Sequence, residues 1–179
     1  MAKPPLPLLQ LDPKAPLWIQ NVWPNVLLDW QFAVATAAAR VACRVYQSVV
    51  QSITNAAWNT LLFDSEDYDI GRLHSTTANT SRLTVPTAGN GIYIVTGEVG
   101  FANNNVGLRY MGFLKNGATR FVQSDANTVN GDATFLNGTQ TFSLVAGDYL
   151  ELQCFQTSGG ALNDSAGING TSFSIVRVF

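Results

Sequence analysis

The densest set of chemically capable side chains is the acidic run Asp64-Ser-Glu66-Asp67-Tyr-Asp69. Carboxylates alternating along a loop supply hard oxygen ligands and could hold calcium through Asp64, Glu66, Asp67 and Asp69. The run lacks the glycine and the terminal bidentate glutamate of a helix–loop–helix calcium site, so an exposed, solvated loop is the competing reading. His74 is the only histidine. General-base catalysis needs a group to orient the imidazole and a positioned nucleophile, and neither is recognisable by spacing. Cys43 and Cys154 share no metal or redox spacing and read as free thiols, Cys154 on the apolar row of a strand. A glycan hydrolase would need a convergent carboxylate pair, whereas these acids cluster in one loop. The residues therefore imply no catalytic group, no metal centre and no cofactor.

Charged residues make up 12% of the chain, about half the usual share for a globular domain. A surface so poor in charge is expected to be covered by partners or by copies of itself. Net charge is −2, without a basic run, so the electrostatic footprint of a nucleic-acid binder is missing. The first residues do not read as a signal peptide, because prolines stand where an apolar helical region would be. The uncharged stretch 30–39 is bounded by Asp29, Arg40 and Arg44, well short of the roughly twenty residues that cross a bilayer.

Three segments position these residues. Six of the 7 prolines fall in residues 1–24, which read as an extended, polyproline-like arm. The arm also carries Leu8, Leu11, Trp18 and Trp23, too apolar for a linker, and is expected to dock on another protein. Residues 25–56 read as an α-helical stalk, with Leu27, Trp30, Val34, Ala38, Val41, Val45, Val49 and Ile53 recurring at steps of three and four. Residues 57–179 read as an all-β head. Its candidate strands are 58–63, 82–85, 91–102, 106–115, 119–124, 133–136, 140–144, 149–156 and 171–178. Turn signals separate them, Lys115-Asn116-Gly117-Ala118 the firmest and Asn137-Gly138 another. In 149–156, Leu150, Leu152 and Cys154 form a core row, while Tyr149, Glu151 and Gln153 face a wetter or inter-subunit surface. Short strands with frequent turns mean a sandwich, most simply a jelly roll. The polar loops 124–132 and 158–165 have the composition to hydrogen-bond sugars, or to serve as plain connections.

Within residues 58–179 the chain resembles the globular heads of complement-type and tumour-necrosis-factor-like proteins, in the version found on bacteriophage virions. The residues that carry the resemblance are Phe63-Asp64 with Tyr68-Asp69, Ser81-Arg82-Leu83-Thr84-Val85-Pro86-Thr87-Ala88-Gly89 and Gly91-Ile-Tyr93-Ile-Val95. They continue with Val106-Gly107-Leu108-Arg109, Lys115-Asn116-Gly117, the Leu-x-x-Gly-Asp segment at 144–148 and the closing Ser172-Phe173-Ser174. The chain departs from the pattern where Asn90-Gly91 is inserted before Ile92-Tyr93. It departs again where Val95 and Gly97 replace the usual aromatics, so part of the core stacking is expected to be missing.

The resemblance implies a jelly roll that assembles as a homotrimer through flat inner sheets. Tyr93, Val95, Val99, Phe101, Tyr149 and Phe173 are the expected core or threefold packing. It further implies a non-enzymatic structural protein of a tailed-phage virion, a minor tail protein or capsid decoration at the tail or capsid surface. Residues 1–56 would contact other virion proteins, anchored by Leu8, Leu11, Trp18, Trp23 and Trp30. The alternative is a module that binds a host receptor or carbohydrate.

Overall fold

A computed structural model describes residues 40–128 and 131–178. The expected arm and the anchor residues Leu8, Leu11, Trp18, Trp23 and Trp30 lie outside them. Twelve strands form: β1 (Ala42–Tyr46), β2 (Ser52–Ile53), β3 (Trp58–Thr60), β4 (Ser65–Ile70), β5 (Arg82–Thr84), β6 (Gly91–Phe101), β7 (Leu108–Lys115), β8 (Thr119–Asn127), β9 (Thr134–Leu144), β10 (Tyr149–Gln156), β11 (Leu162–Asn163) and β12 (Ser172–Arg177). They build the jelly-roll sandwich. One sheet runs β4-β1-β12-β6-β9, the other β3-β10-β7-β8 with β5 also on β10, and β11 pairs with β2.

The helix expected over 25–56 does not form in its described part. Ala42–Tyr46 is a strand between β12 and β4, with Ala42 opposite both Val176 and Ile70. The physical reason is an ambiguity of period. A step of four, as from Val41 to Val45, returns to one face of a helix and also to one face of a strand. The residue between them decides. Val41, Cys43, Val45 and Gln47 are all buried while Ala42, Arg44 and Tyr46 are not, which is period two, and β-branched valines favour it. The compact unit accordingly starts at Arg40, not at residue 57.

Two further expectations change. The acidic run is not a loop but strand β4, paired along β1. The Asn137-Gly138 turn is absent, because residues 134–136 and 140–144 belong to one strand that pairs with β6 throughout. A Cβ on Gly138 would lie 2.6 Å from Gln123 Cβ and 2.9 Å from Met111 Cε. That glycine serves close approach of the opposite sheet, a use that the composition of the dipeptide does not distinguish from a turn.

The expected Lys115–Ala118 turn is present. Asn116 and Gly117 have φ of 52° and 66°, the left-handed pair of a type I′ hairpin, closed by Ala118 N–H on Lys115 O at 3.0 Å. It is knotted to the Gly147-Asp148 turn. Asn116 donates to Asp148 Oδ1 at 2.8 Å and accepts Tyr149 N–H at 2.8 Å, while Lys115 Nζ pairs with Asp148 Oδ2 at 3.1 Å. The hydrogen bond from Asn116 leads the effects that hold the Asp148 carboxyl below the usual range.

Core stacking is complete despite Val95 and Gly97. Phe63, Phe173, Phe113, Phe142 and Phe121 follow one another at centroid distances of 5.9, 5.8, 6.0 and 5.2 Å, so the ladder runs through β12, β7 and β9 instead of β6. Cys43 and Val45 on β1 and Ile53 on β2 are wholly buried in the same core. A chain shortened to begin at Arg40 is therefore expected to keep a cooperative melt. One beginning at Trp58 loses β1 from the middle of its sheet and is expected not to fold, each buried apolar loss alone costing about 1–4 kcal/mol. Near-ultraviolet dichroism with thermal scanning of the two shortened chains checks this; a folded chain from Trp58 contradicts it.

Candidate functional site

The jelly roll offers two outward faces, and the sequence-derived residues divide sharply between core and surface. Tyr93, Val95, Val99, Phe101 and Phe173 have no exposed surface in the single protomer, so they pack its own core. Tyr93 also donates its hydroxyl to Gly89 O. Tyr149 is half-buried, with the Arg82 guanidinium 4.0 Å from its ring centroid. Any contact between copies must use the alternate rows.

On the first sheet those rows run in register. Ile70, Ala42, Val176, Ile94 and Thr141 lie side by side across β4, β1, β12, β6 and β9, followed by Tyr68, Arg44, Ser174, Thr96 and Thr139. Ile70, Val176 and Ile94 remain 54%, 43% and 37% exposed, an apolar line bordered by hydroxyls. Its one cation in these two rows is occupied: Arg44 reaches Asp67 at 3.2 Å and Ile168 O at 2.8 Å. Sequence reading missed this face because β1 and β4 were assigned to a helix and a loop.

On the second sheet the outward row of β10 is not wet. Glu151 and Gln153 are only 7% and 5% exposed. Glu151 Oε1 accepts the Ser81 hydroxyl at 2.7 Å and Arg82 Nε at 3.2 Å. Gln153 accepts Arg120 Nε at 2.7 Å and donates to Thr60 at 2.8 Å. Arg120 then lies 4.3 Å from the Trp58 ring centroid. Beside this network Trp58, Phe155 and Tyr110 adjoin at 5.7 and 5.8 Å. With Leu108 and Val122 they line an open apolar cleft of about 400 Å³. Sequence reading did not single out Tyr110 or Phe155; their meeting with Trp58 required the pairing of β3 and β7 with β10.

The acidic residues do not converge. Asp64 accepts the backbone N–H and hydroxyl of Ser48 at 2.7 and 2.6 Å, Asp67 pairs with Arg44, and Glu66 meets His74 Nδ1 at 2.8 Å. Asp69 accepts the N–H groups of Leu73 and His74 at 3.0 and 3.1 Å. Among the described residues no three metal-ligating side chains gather. His74 has a fully buried side chain whose Nε2 meets Thr80 O at 3.1 Å, a tie between β4 and the loop that follows it. Burial raises both thiols, Cys43 and Cys154, far above the ordinary range, which keeps them neutral and poor nucleophiles. The loop 158–165 includes β11 and the buried Asp164. The loop 124–132 is partly the end of β8 and partly outside the described residues.

No protein-family model matches the chain, and no curated protein matches it. Solved structures do. A crystal structure of murine APRIL aligns with a TM-score of 0.57 at 14% identity, over 78% of this chain and 99% of its own. The globular domain of zebrafish complement 1qA protein gives 0.54 at 11%, covering 78% and 98%. Eiger TNF from S. frugiperda gives 0.52 at 12%, covering 78% and 93%. At these identities the likeness establishes a tumour-necrosis-factor and complement-type jelly roll.

One buried acid carries a pH signature. Asp164 is 2% exposed; its Oδ1 accepts Gln51 N–H at 2.6 Å, while its Oδ2 and Gln47 Oε1 have no donor. Burial pushes its carboxyl above the usual range. The folded chain thus holds this proton more tightly than the unfolded one. The stability it contributes is full below the unfolded pKa of about 3.9 and is lost as pH rises through the higher folded value. Asp164→Asn keeps the acceptor for Gln51 and supplies the missing donor. It is expected to stabilise the head at neutral pH by about 1–3 kcal/mol and to flatten this part of the stability–pH curve. Thermal denaturation across acid to neutral pH measures both; destabilisation at neutral pH contradicts them.

Proposed function

We propose that this chain forms a homotrimeric, non-enzymatic β head displayed on a tailed-bacteriophage virion, as a minor tail protein or a capsid decoration. The observation that carries self-association is the sparsely charged outward face of β1, β12, β6 and β9, where Ala42, Val176 and Ile94 align across three strands. Apolar residues ringed by serine and threonine suit burial against an identical face, since few charges need desolvation. The virion location is supported by the sequence resemblance and by the Pro/Trp-rich segment that precedes Arg40. There Leu8, Leu11, Trp18, Trp23 and Trp30 are the proposed particle anchor.

Light scattering coupled to sizing of the full chain is expected to give a trimer. The pair Ile94→Asp and Val176→Asp should release monomers with unchanged far-ultraviolet dichroism, because both side chains already face solvent in the protomer. A monomeric wild type would end the threefold reading. Incorporation into phage particles that is lost on changing Trp18 and Trp23 to alanine tests the anchor, and a chain that never co-purifies with particles removes it.

A second reading, a module for a host receptor or glycan, is favoured by the Trp58–Phe155–Tyr110 cleft. Exposed aromatic faces beside hydrogen-bonding groups are the usual furniture of ligand sites. On a glycan array, binding that disappears in Trp58→Ala supports it. Silence of the wild-type chain on glycans and on host cells removes it.

A further inference from the structure

The loop between β4 and β5 builds a second polar cleft, which neither reading above uses. It encloses about 310 Å³ between Arg72, His74, Ser75, Asn79, Arg82 and Thr84, and no carboxylate lines it. Arg72 and Asn79 both hold left-handed backbone, φ 60° and 52°. Side chains other than glycine rarely adopt this conformation unless the surroundings impose it.

Here the surroundings do. Asp69 accepts the N–H groups of Leu73 and His74 at 3.0 and 3.1 Å. The buried His74 ring spans Glu66 and Thr80 O. The far wall is tied by Thr84 N–H on Leu73 O at 2.7 Å and Arg82 N–H on Asn79 O at 3.0 Å. The acids nearest the cleft are thereby engaged elsewhere, while its cations keep unused nitrogen donors, Arg82 also packing on the Tyr149 ring. Arg72 is exposed, and no hydrogen bond or ion pair holds its guanidinium among the described residues. Arg82 engages Glu151 through Nε alone, and Glu151 is shared with Ser81.

We propose that this cleft binds a single oxyanion, the carboxylate or sulfate of an acidic glycan or the equivalent free ion, between the guanidinium groups of Arg72 and Arg82. Guanidinium forks match pairs of oxygens on carboxylate and on tetrahedral oxyanions alike. The net charge of −2 and the lack of a basic run fit one anionic group better than a long polyanion. The loop is held in place before the ligand arrives, so little ordering cost opposes binding.

The test is calorimetric titration of the full chain at low ionic strength with sodium galacturonate, inorganic sulfate and inorganic phosphate. Saturable binding that weakens with added salt is expected. Arg72→Ala should weaken it about tenfold or more with an unchanged melting temperature, and Arg72→Lys should restore part of it. Binding of galacturonate alone assigns the site to a sugar carboxylate, and binding of the inorganic ions as well assigns it to the oxyanion itself. No binding of any of the three, or equal binding by Arg72→Ala, overturns the proposal.

Discussion

The sandwich closes around a missing side chain. A Cβ on Gly97 would lie 2.7 Å from Leu152 Cδ1 and 3.0 Å from Phe113 Cε1, so β6 can approach the opposite sheet only because nothing projects there. The space goes to Phe113, which stacks on Phe173 at 20° and meets Phe142 edge-on at 81°. Those rings join β7 of one sheet to β12 and β9 of the other. Gly138, opposite Gly97 on β9, makes the same allowance for Met111 and Gln123. Interiors packed near crystal density leave no slack for an added methyl group at such points. The register of β6 between β12 and β9 is consequently pinned at its middle, and each residue outward from Gly97 has its face assigned.

That assignment separates construction from recognition. Tyr93 and Phe101 on β6, Phe113 on β7, Phe142 on β9 and Phe173 on β12 are spent in the core, which leaves the outward rows to set what the surface does. On the first sheet the row is neutral and partly apolar. On the second, Glu151 and Gln153 are turned outward yet covered, because Arg82, Arg120, Trp58 and Thr60 lie over them. A buried carboxylate with two donors is satisfied and contributes little reactivity.

Much of this was legible. The Val85-Pro86-Thr-Ala-Gly89 segment, which carried part of the resemblance, forms a turn: Gly89 N–H closes on Pro86 O at 2.8 Å and the Tyr93 hydroxyl returns to Gly89 O. The Gly147-Asp148 turn and the Asn116-Gly117 hairpin, far apart in sequence, are one hydrogen-bonded knot. What stayed hidden has physical causes. A spacing of four is shared by helix and strand, so Val41 and Val45 read as helical. Acidic residues are poor strand formers by propensity, yet β4 pairs with β1 because Asp64, Glu66, Asp67 and Asp69 each find a donor nearby. The outward face and both clefts depend on which strands become neighbours, and pairing across the chain is not encoded in any local window.

The loop after β4 shows how such a fold can acquire a site without disturbing its core. Its backbone bonds are made by Asp69 and by the buried His74, both anchored to β4 and the loop that follows. Gly71, Arg72 and Asn79 then take positive φ at the rim, not in the sheets. Strain placed there is borne by a few hydrogen bonds and leaves the aromatic ladder untouched. A cleft with two incompletely used guanidinium groups is therefore tolerated on a chain that pairs Arg44 with Asp67 and Lys115 with Asp148. An electrostatically neutral face for self-contact and a cationic rim for a ligand are compatible because they lie on residues that face away from the shared core.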